Sequence, residues 1–232
     1  MSTSNDLWVA NRSGGLMSYL LSTRLGAIVA VPMVRRRVRP AWVTLMSLGT
    51  GLATAVVAWF CVTRGHPLAA GIITLVGWQT AYVFDCTDGN VARATDTTSA
   101  HGARMDVLTD FAVQAGVVAV VVTAVDGATA TPAWVQAVFA ITWTINLFLG
   151  VLSKVGGKEG HSLLSQERSL VNDGARLLRD YPFQALALSL AMPWPTTALP
   201  AVVVALAVLH GGFLMASLAN ETRLGLIATR SR

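Results

Sequence analysis

Apolar and polar positions along this chain fall in long blocks rather than short periods. Nearly continuous apolar runs occupy Trp42–Val62, Leu68–Phe84, Val107–Val125, Ala133–Leu152, Pro182–Trp194 and Leu199–Leu218. A helix needs ~20 such residues to cross the hydrocarbon core of a bilayer. Backbone in lipid is satisfied only by helices or closed barrels, and these blocks show no strand-like alternation. They predict six transmembrane helices. The fifth run is short, and Arg179–Tyr181 extends it toward the interface. Ahead of the first run, Leu16, Leu20, Leu21, Leu25, Ile28 and Val29 approximate one helical face, with Ser22 and Arg24 off it. That pattern predicts an interfacial amphipathic helix ending at Pro32 and the cluster Arg35, Arg36, Arg37, Arg39. A short membrane hairpin is the alternative for this segment.

The fold expected is therefore an all-α integral membrane protein. Its parts are an interfacial segment over 1–40, a six-helix domain over 41–222 and a basic tail over 223–232. Composition agrees: 53% of residues are hydrophobic and only 12% charged, about half the charged share of soluble domains. The net charge of +5 acquires meaning once the basic residues are placed. One set of connections carries Arg35, Arg36, Arg37, Arg39, Arg93, Arg104, Lys154, Lys158, Arg168, Arg176, Arg179, Arg223, Arg230 and Arg232; the opposite set carries Arg64 alone. By the positive-inside rule both termini face the cytoplasm, as expected of a bacterial plasma-membrane protein. Cys61 and Cys86 have neither metal-ligand spacing nor the look of a disulfide framework. No cleavable signal peptide is expected, because the first apolar run is followed by arginines and not by a small-residue cleavage site.

The stretch "DCTDGNVARATDTTSAHGARMDVLTD", from Asp85 to Asp110, holds five of the chain's twelve acidic residues and lies between two apolar runs. Asp85 and Asp88 share one helical face, as do Asp106 and Asp110. Gly89 and Gly102 lie between the pairs, where they would let the chain turn back so that two helix ends present four carboxylates to each other. Like charges at a membrane edge are costly unless paired or metal-bound. Oxygen-only ligands favour Mg²⁺, Mn²⁺ or Ca²⁺ over zinc, and two such ions would form the clamp used in phosphoryl chemistry. Arg93 supplies a fixed cation for bidentate phosphate contact, and Gly89 would let a ligand approach the backbone.

The spacing Asp85-x2-Asp88-Gly89-x2-Ala92-Arg93-x8-Gly102-x3-Asp106-x3-Asp110 resembles the signature of the CDP-alcohol phosphotransferase (phosphatidyltransferase) family at all eight fixed positions. The resemblance implies that Asp85, Asp88, Asp106 and Asp110 hold two divalent ions, Mg²⁺ or Mn²⁺. Asp110 is then also the base for the acceptor hydroxyl. It further implies contacts to the CDP group from Asp88, Gly89, Ala92, Arg93, Ser99 and Gly102. Thr44 joins them from "PAWVT", Pro40 to Thr44, where Ala41 replaces the family's Asn. A homodimer is implied in the same way. Arg168, Arg176 and Arg179 are candidates for binding a phosphorylated acceptor, against a bland role in topology and lipid contact.

The expected reaction moves a phospho-alcohol group from a CDP-alcohol to an acceptor hydroxyl and releases CMP. The donor is expected to be CDP-diacylglycerol, and the acceptor inositol phosphate or glycerol phosphate, in phospholipid biosynthesis. A water-soluble donor such as CDP-inositol is the alternative. A divalent-cation transporter is a reading from another class, and a catalytically silent homologue a third. The partners are the two substrates and the bilayer; no nucleic acid is expected. Gln79 and Asn146, inside spans, read as helix-packing hydrogen bonders. His210 reads either as functional or as a neutral histidine bonded between helices.

Overall fold

The computed structural model describes residues 4, 17–128, 131–155, 174 and 177–230. Among these the protein is all-helical. After a π-helical turn, Ser18–Ser22, come α1 (Thr23–Arg35), α2 (Pro40–Thr63), α3 (Pro67–Ala94), α4 (Ala100–Ala128), α5 (Ala133–Val155), α6 (Tyr181–Ala191) and α7 (Ala198–Arg230). Five helices are long and apolar enough to cross a membrane: α2, α3, α4, α5 and α7. Proline occupies the first turn of α2, α3 and α6, where its missing N–H costs nothing and its fixed φ starts the helix. Gly65, at φ 75, makes the left-handed turn between α2 and α3 that a residue with Cβ disfavours.

The predicted fifth span is the exception to the six expected crossings. α6 has 11 residues, so it extends only about 16 Å, roughly half a hydrocarbon core. Its contacts explain how so short a helix is accommodated. Gln79 Nε2 donates to Pro182 O at 2.8 Å near the start of α6. Near its end, Gly71 lies so close to Ser189 O and Pro193 that a Cβ would sit 3.0 Å from each. α6 therefore lies along α3 from Gln79 back to Gly71. The rest of α3, from Cys86 to Ala94, is covered by α1: a Cβ on Gly26 would lie 2.9 Å from Cys86 Cβ, and Ala27 and Ala30 bury against Val91. The two pieces meet where Ser18 N–H donates to Asp180 Oδ2 at 2.6 Å and the Ser18 hydroxyl donates to Oδ1.

α1 corrects one expectation. The helix does not end at Pro32 but runs through it to Arg35. A proline removes one intrahelical hydrogen bond; packing of the small face, Thr23, Gly26, Ala27 and Ala30, keeps the helix going. Arg37, at φ 55, ends it instead. Leu21, Leu25 and Ile28 of the expected apolar face point outward and are exposed, as befits a face turned to lipid.

α2 is the backbone of the site-bearing half. Ser47, Gly51 and Ala55 recur every fourth residue, a small-residue stripe that lets neighbouring helices approach closely. α3 and α4 both pack on α2, and they make little close contact with each other. Gly51 meets Val113 of α4 with room for no Cβ, at 2.6 Å, and Gly77 of α3 meets Thr54 equally tightly. Two helices leaning on a common third, splayed from one another, leave a groove between them. α5 packs on α7, and α6 on α3. The core of the bundle is built on Trp78, Val117, Val121, Phe139, Trp143, Leu188 and Leu199, all essentially buried.

Candidate active site

Both acidic pairs lie at one end of that groove. Asp85 lies about 27 Å along α3 from Pro67, and Asp110 about 27 Å along α4 from Ala128. Each pair is thus about one hydrocarbon thickness from the opposite end of its helix. The connection between the helices corrects a second expectation. Gly89 is inside α3 and Gly102 inside the first turn of α4, so neither makes the turn. Asp96 does, at φ 53, with Thr97 N–H donating to Ala92 O at 2.9 Å to close the end of α3. Aspartate tolerates the left-handed conformation better than most residues.

The glycines have other uses. A Cβ on Gly89 would lie 3.2 Å from both Nη1 and Nη2 of Arg93, so the guanidinium folds back over the bare backbone. Arg93 Nη2 also donates to Asn90 Oδ1 at 3.1 Å. Gly102 N–H donates to Ser99 Oγ at 3.0 Å, an N-cap interaction that opens α4. Arg93 and Ser99 are exposed at the mouth, and Ala92 is half-buried beside them.

Asp88 is the most buried of the four acids, 7% exposed. Thr44 Oγ1 donates to its Oδ2 at 2.5 Å, so α2 fixes the orientation of this carboxylate. The Thr44 hydroxyl also lies 3.2 Å from Pro40 O, one turn back. Asp106 is close enough to Asp88 for mutual repulsion. Asp85 and Asp110 both act electrostatically on the Tyr82 hydroxyl. Asp88 and Asp106 thus come together from α3 and α4, and Asp85 and Asp110 both lie within electrostatic range of Tyr82. Among the described residues no three His, Cys, Asp or Glu side chains already converge as a metal cage. The donor set nevertheless suits a hard cation: it is all oxygen, partly buried, and places carboxylates of like charge against one another across the groove.

Around the acids lies a polar shell of which the sequence singled out only Asn146, as a helix-packing hydrogen bonder. Gln114, one turn below Asp110, donates through Nε2 to the Tyr82 hydroxyl at 2.5 Å, and its Oε1 accepts from Trp143 Nε1 at 3.2 Å. Asn146 Nδ2 donates to the Tyr181 hydroxyl at 3.2 Å, and Tyr181 lies within electrostatic range of Asp110. Phe111 and Phe148 meet edge to face at 6.2 Å, joining α4 to α5 beside Asp110. The available signal was position: Tyr82 lies three residues before Asp85 and Gln114 four after Asp110, on the same helical faces. Of the basic acceptor candidates, Arg179 stands over the Phe213 ring, 5.1 Å from its centroid. Arg168 and Arg176 lie outside the described residues.

A family model for CDP-alcohol phosphatidyltransferases matches residues 37–221. The match takes in α2, α3, α4, α5 and α6 whole, most of α7, and every acidic residue of the groove. The chain therefore belongs to the CDP-alcohol phosphatidyltransferase family, a family of membrane-embedded transferases acting on CDP-alcohols. No curated protein matches the chain.

Proposed function

We propose that this protein transfers a phosphatidyl group from CDP-diacylglycerol to the hydroxyl of a small acceptor alcohol, releasing CMP, with the reaction at the cytoplasmic edge of the membrane. The observation that carries this reading is the opposition of the two acidic pairs across a groove at one membrane edge, with Arg93 folded over Gly89 at its mouth. A cation-transport site would be expected near the midplane and would have no use for that arginine. The exposed basic residues Arg35, Arg36, Arg37, Arg39, Arg93 and Arg104 gather at the same end, which supports a cytoplasmic site.

Asp85, Asp88, Asp106 and Asp110 are the residues that would hold divalent metal, Mg²⁺ or Mn²⁺. When bound, such metal supplies charge neutralisation at the donor pyrophosphate. Thr44 keeps Asp88 oriented through its hydroxyl. Arg93 pairs with phosphate oxygens, and Gly89 lets the nucleotide lie against bare backbone. The acceptor hydroxyl gives its proton to the Asp110 carboxylate, and its oxygen forms a new bond to the phosphorus nearer the donor alcohol. The bond from that phosphorus to the CMP oxygen breaks, and CMP leaves with the electron pair. The bundle around Asp110 keeps bulk water away and limits hydrolysis. Arg179, held on Phe213, receives an anionic group on the acceptor, as inositol phosphate or glycerol phosphate would carry. We take the working unit to be a homodimer, as the family resemblance implies.

Ala41, where the family carries Asn, favours a second reading in which the donor is a water-soluble CDP-alcohol such as CDP-inositol. One assay decides. Purified protein in detergent is given CDP-diacylglycerol or a soluble CDP-alcohol with glycerol 3-phosphate or inositol 1-phosphate, with Mg²⁺, with Mn²⁺ or with EDTA. CMP should form from the lipid donor only when metal is present. CMP from soluble donors alone would establish the second reading, and metal uptake into vesicles with no CMP from any donor would sink both.

A further inference from the structure

The bundle interior beside Asp110 contains polar atoms that the reaction as described does not use. His210, 1% exposed, has neither Nδ1 nor Nε2 hydrogen-bonded among the described residues. Asn146, 2% exposed, spends its Nδ2 on the Tyr181 hydroxyl, and its Oδ1 has no partner among the described residues. These atoms are neighbours. The Trp143 ring lies 5.3 Å from the His210 ring and 6.0 Å from the Tyr181 ring, and Asn146 is one turn beyond Trp143 on the same helix. Tyr181 in turn is within electrostatic range of Asp110. Three helices, α5, α6 and α7, thus bring polar groups together around Trp143, with Tyr181 linking them to the surroundings of Asp110.

Such atoms are costly. A buried polar group without a hydrogen bond loses roughly 1–3 kcal/mol relative to water, and buried polar side chains in folded proteins are overwhelmingly satisfied. A histidine serving only to pack two helices would bond at least one nitrogen to a neighbour, and among the described residues His210 bonds neither. Neutral imidazole offers one donor and one acceptor, Asn146 Oδ1 an acceptor, and the Tyr181 hydroxyl either. This mixed set complements hydroxyl groups. Arg179 lies within electrostatic range of both His210 and Tyr181, so the set suits hydroxyls on an acceptor that also carries an anionic group and is a poor match for an ammonium.

Building on the phosphatidyl-transfer reading, we propose that His210, Asn146 and Tyr181 form a hydroxyl-recognition subsite, and that the acceptor is a polyhydroxylated alcohol. One of its hydroxyls faces Asp110 while the others satisfy His210 and Asn146. Acceptors with a single hydroxyl leave those groups buried and unmet, which is how the site rejects them.

The test uses full-length protein, CDP-diacylglycerol and four acceptor probes: inositol 1-phosphate, inositol, glycerol 3-phosphate and serine. The unmodified enzyme should form CMP with a polyol probe and not with serine. His210→Leu, Asn146→Leu and Tyr181→Phe should each raise the KM for that polyol about five- to tenfold, one buried hydrogen bond apiece, with the KM for CDP-diacylglycerol unchanged. His210→Gln, which keeps a donor and an acceptor, should recover most of the loss; a packing role would not distinguish Gln from Leu by acceptor KM alone. If a leucine variant fails to fold, Tyr181→Phe, which removes one oxygen, carries the measurement. CMP formation with serine alone would overturn the subsite and leave phosphatidyl transfer standing. Equal losses in donor and acceptor KM would also overturn the subsite. No CMP from CDP-diacylglycerol with any probe would overturn the functional reading itself.

Discussion

Thr44 shows how much rests on one hydroxyl. It reaches 2.5 Å to Asp88, the most buried acid in the groove, and a charge-assisted bond of this kind is worth roughly 1.5–3 kcal/mol. Thr44→Val keeps the shape and removes the bond. The half-maximal Mg²⁺ concentration for CMP release should then rise roughly ten- to a hundredfold, with maximal turnover far less affected. An unchanged metal titration would show that Asp88 needs no such support. Asp110→Asn separates binding from chemistry. The amide cannot accept the acceptor's proton, so turnover should fall by about a thousandfold or more. Affinity for a CDP-alcohol, read by calorimetry, should fall far less. Comparable loss of both would mean that Asp110 is a ligand and not the base.

At the scale of helices, the groove depends on how closely α2 admits its neighbours. Gly51 faces Val113 with no space for a methyl group, so Gly51→Ala pushes α4 from α2 and moves Asp106 and Asp110 against Asp85 and Asp88. Overpacking of this kind costs about 1–3 kcal/mol, and both melting temperature and activity should drop. Val113→Ala in the same chain should restore both; a double variant no better than Gly51→Ala would place the damage elsewhere. This stripe also marks the limit of what the chain discloses before folding. The long apolar blocks gave α2, α3, α4, α5 and α7 directly, because lipid forces any such block into a helix. The acid spacing placed Asp85 with Asp88 and Asp106 with Asp110 for the equally local reason that helical periodicity decides which side chains share a face. The shortness of α6 showed already in its short apolar run, but the α1 terminus and the turn at Asp96 were not legible in this way. Pro32 breaks a helix in isolation, and only the packing of Gly26 and Ala27 on α3 overrides it. Tyr82, Gln114 and Asn146 sat in plain view, but their partners come from other helices, so a local pattern could say only that they bond to something.

Over the whole molecule, α1 and α6 act as two halves of a wall along α3, and Asp180 is where they meet. Its carboxylate accepts from the Ser18 backbone N–H and hydroxyl, and Asp180 is the residue immediately before α6. Burial raises its pKa above the ordinary carboxylate value, and the bonds from Ser18 oppose this only in part. The sign follows from linkage. A carboxyl whose folded-state value is raised contributes stability that is fully present below the unfolded value, about 3.9, and that contribution is lost as pH rises through the folded value. Asp180→Asn keeps the shape of the group and cannot ionise. The difference in melting temperature, unmodified protein minus variant, should therefore be greatest near pH 4 and decline toward neutrality as the buried carboxylate takes on charge. The junction holds α1 beside Cys86 and Thr87, immediately next to Asp85 and Asp88, so a loosened junction should also make the first residues of α1 more accessible to protease. Limited proteolysis across the same pH series provides the second readout. A melting difference flat between pH 4 and 7, with protease sensitivity equally flat, would show that Asp180 does not couple the N-terminal helix to the bundle.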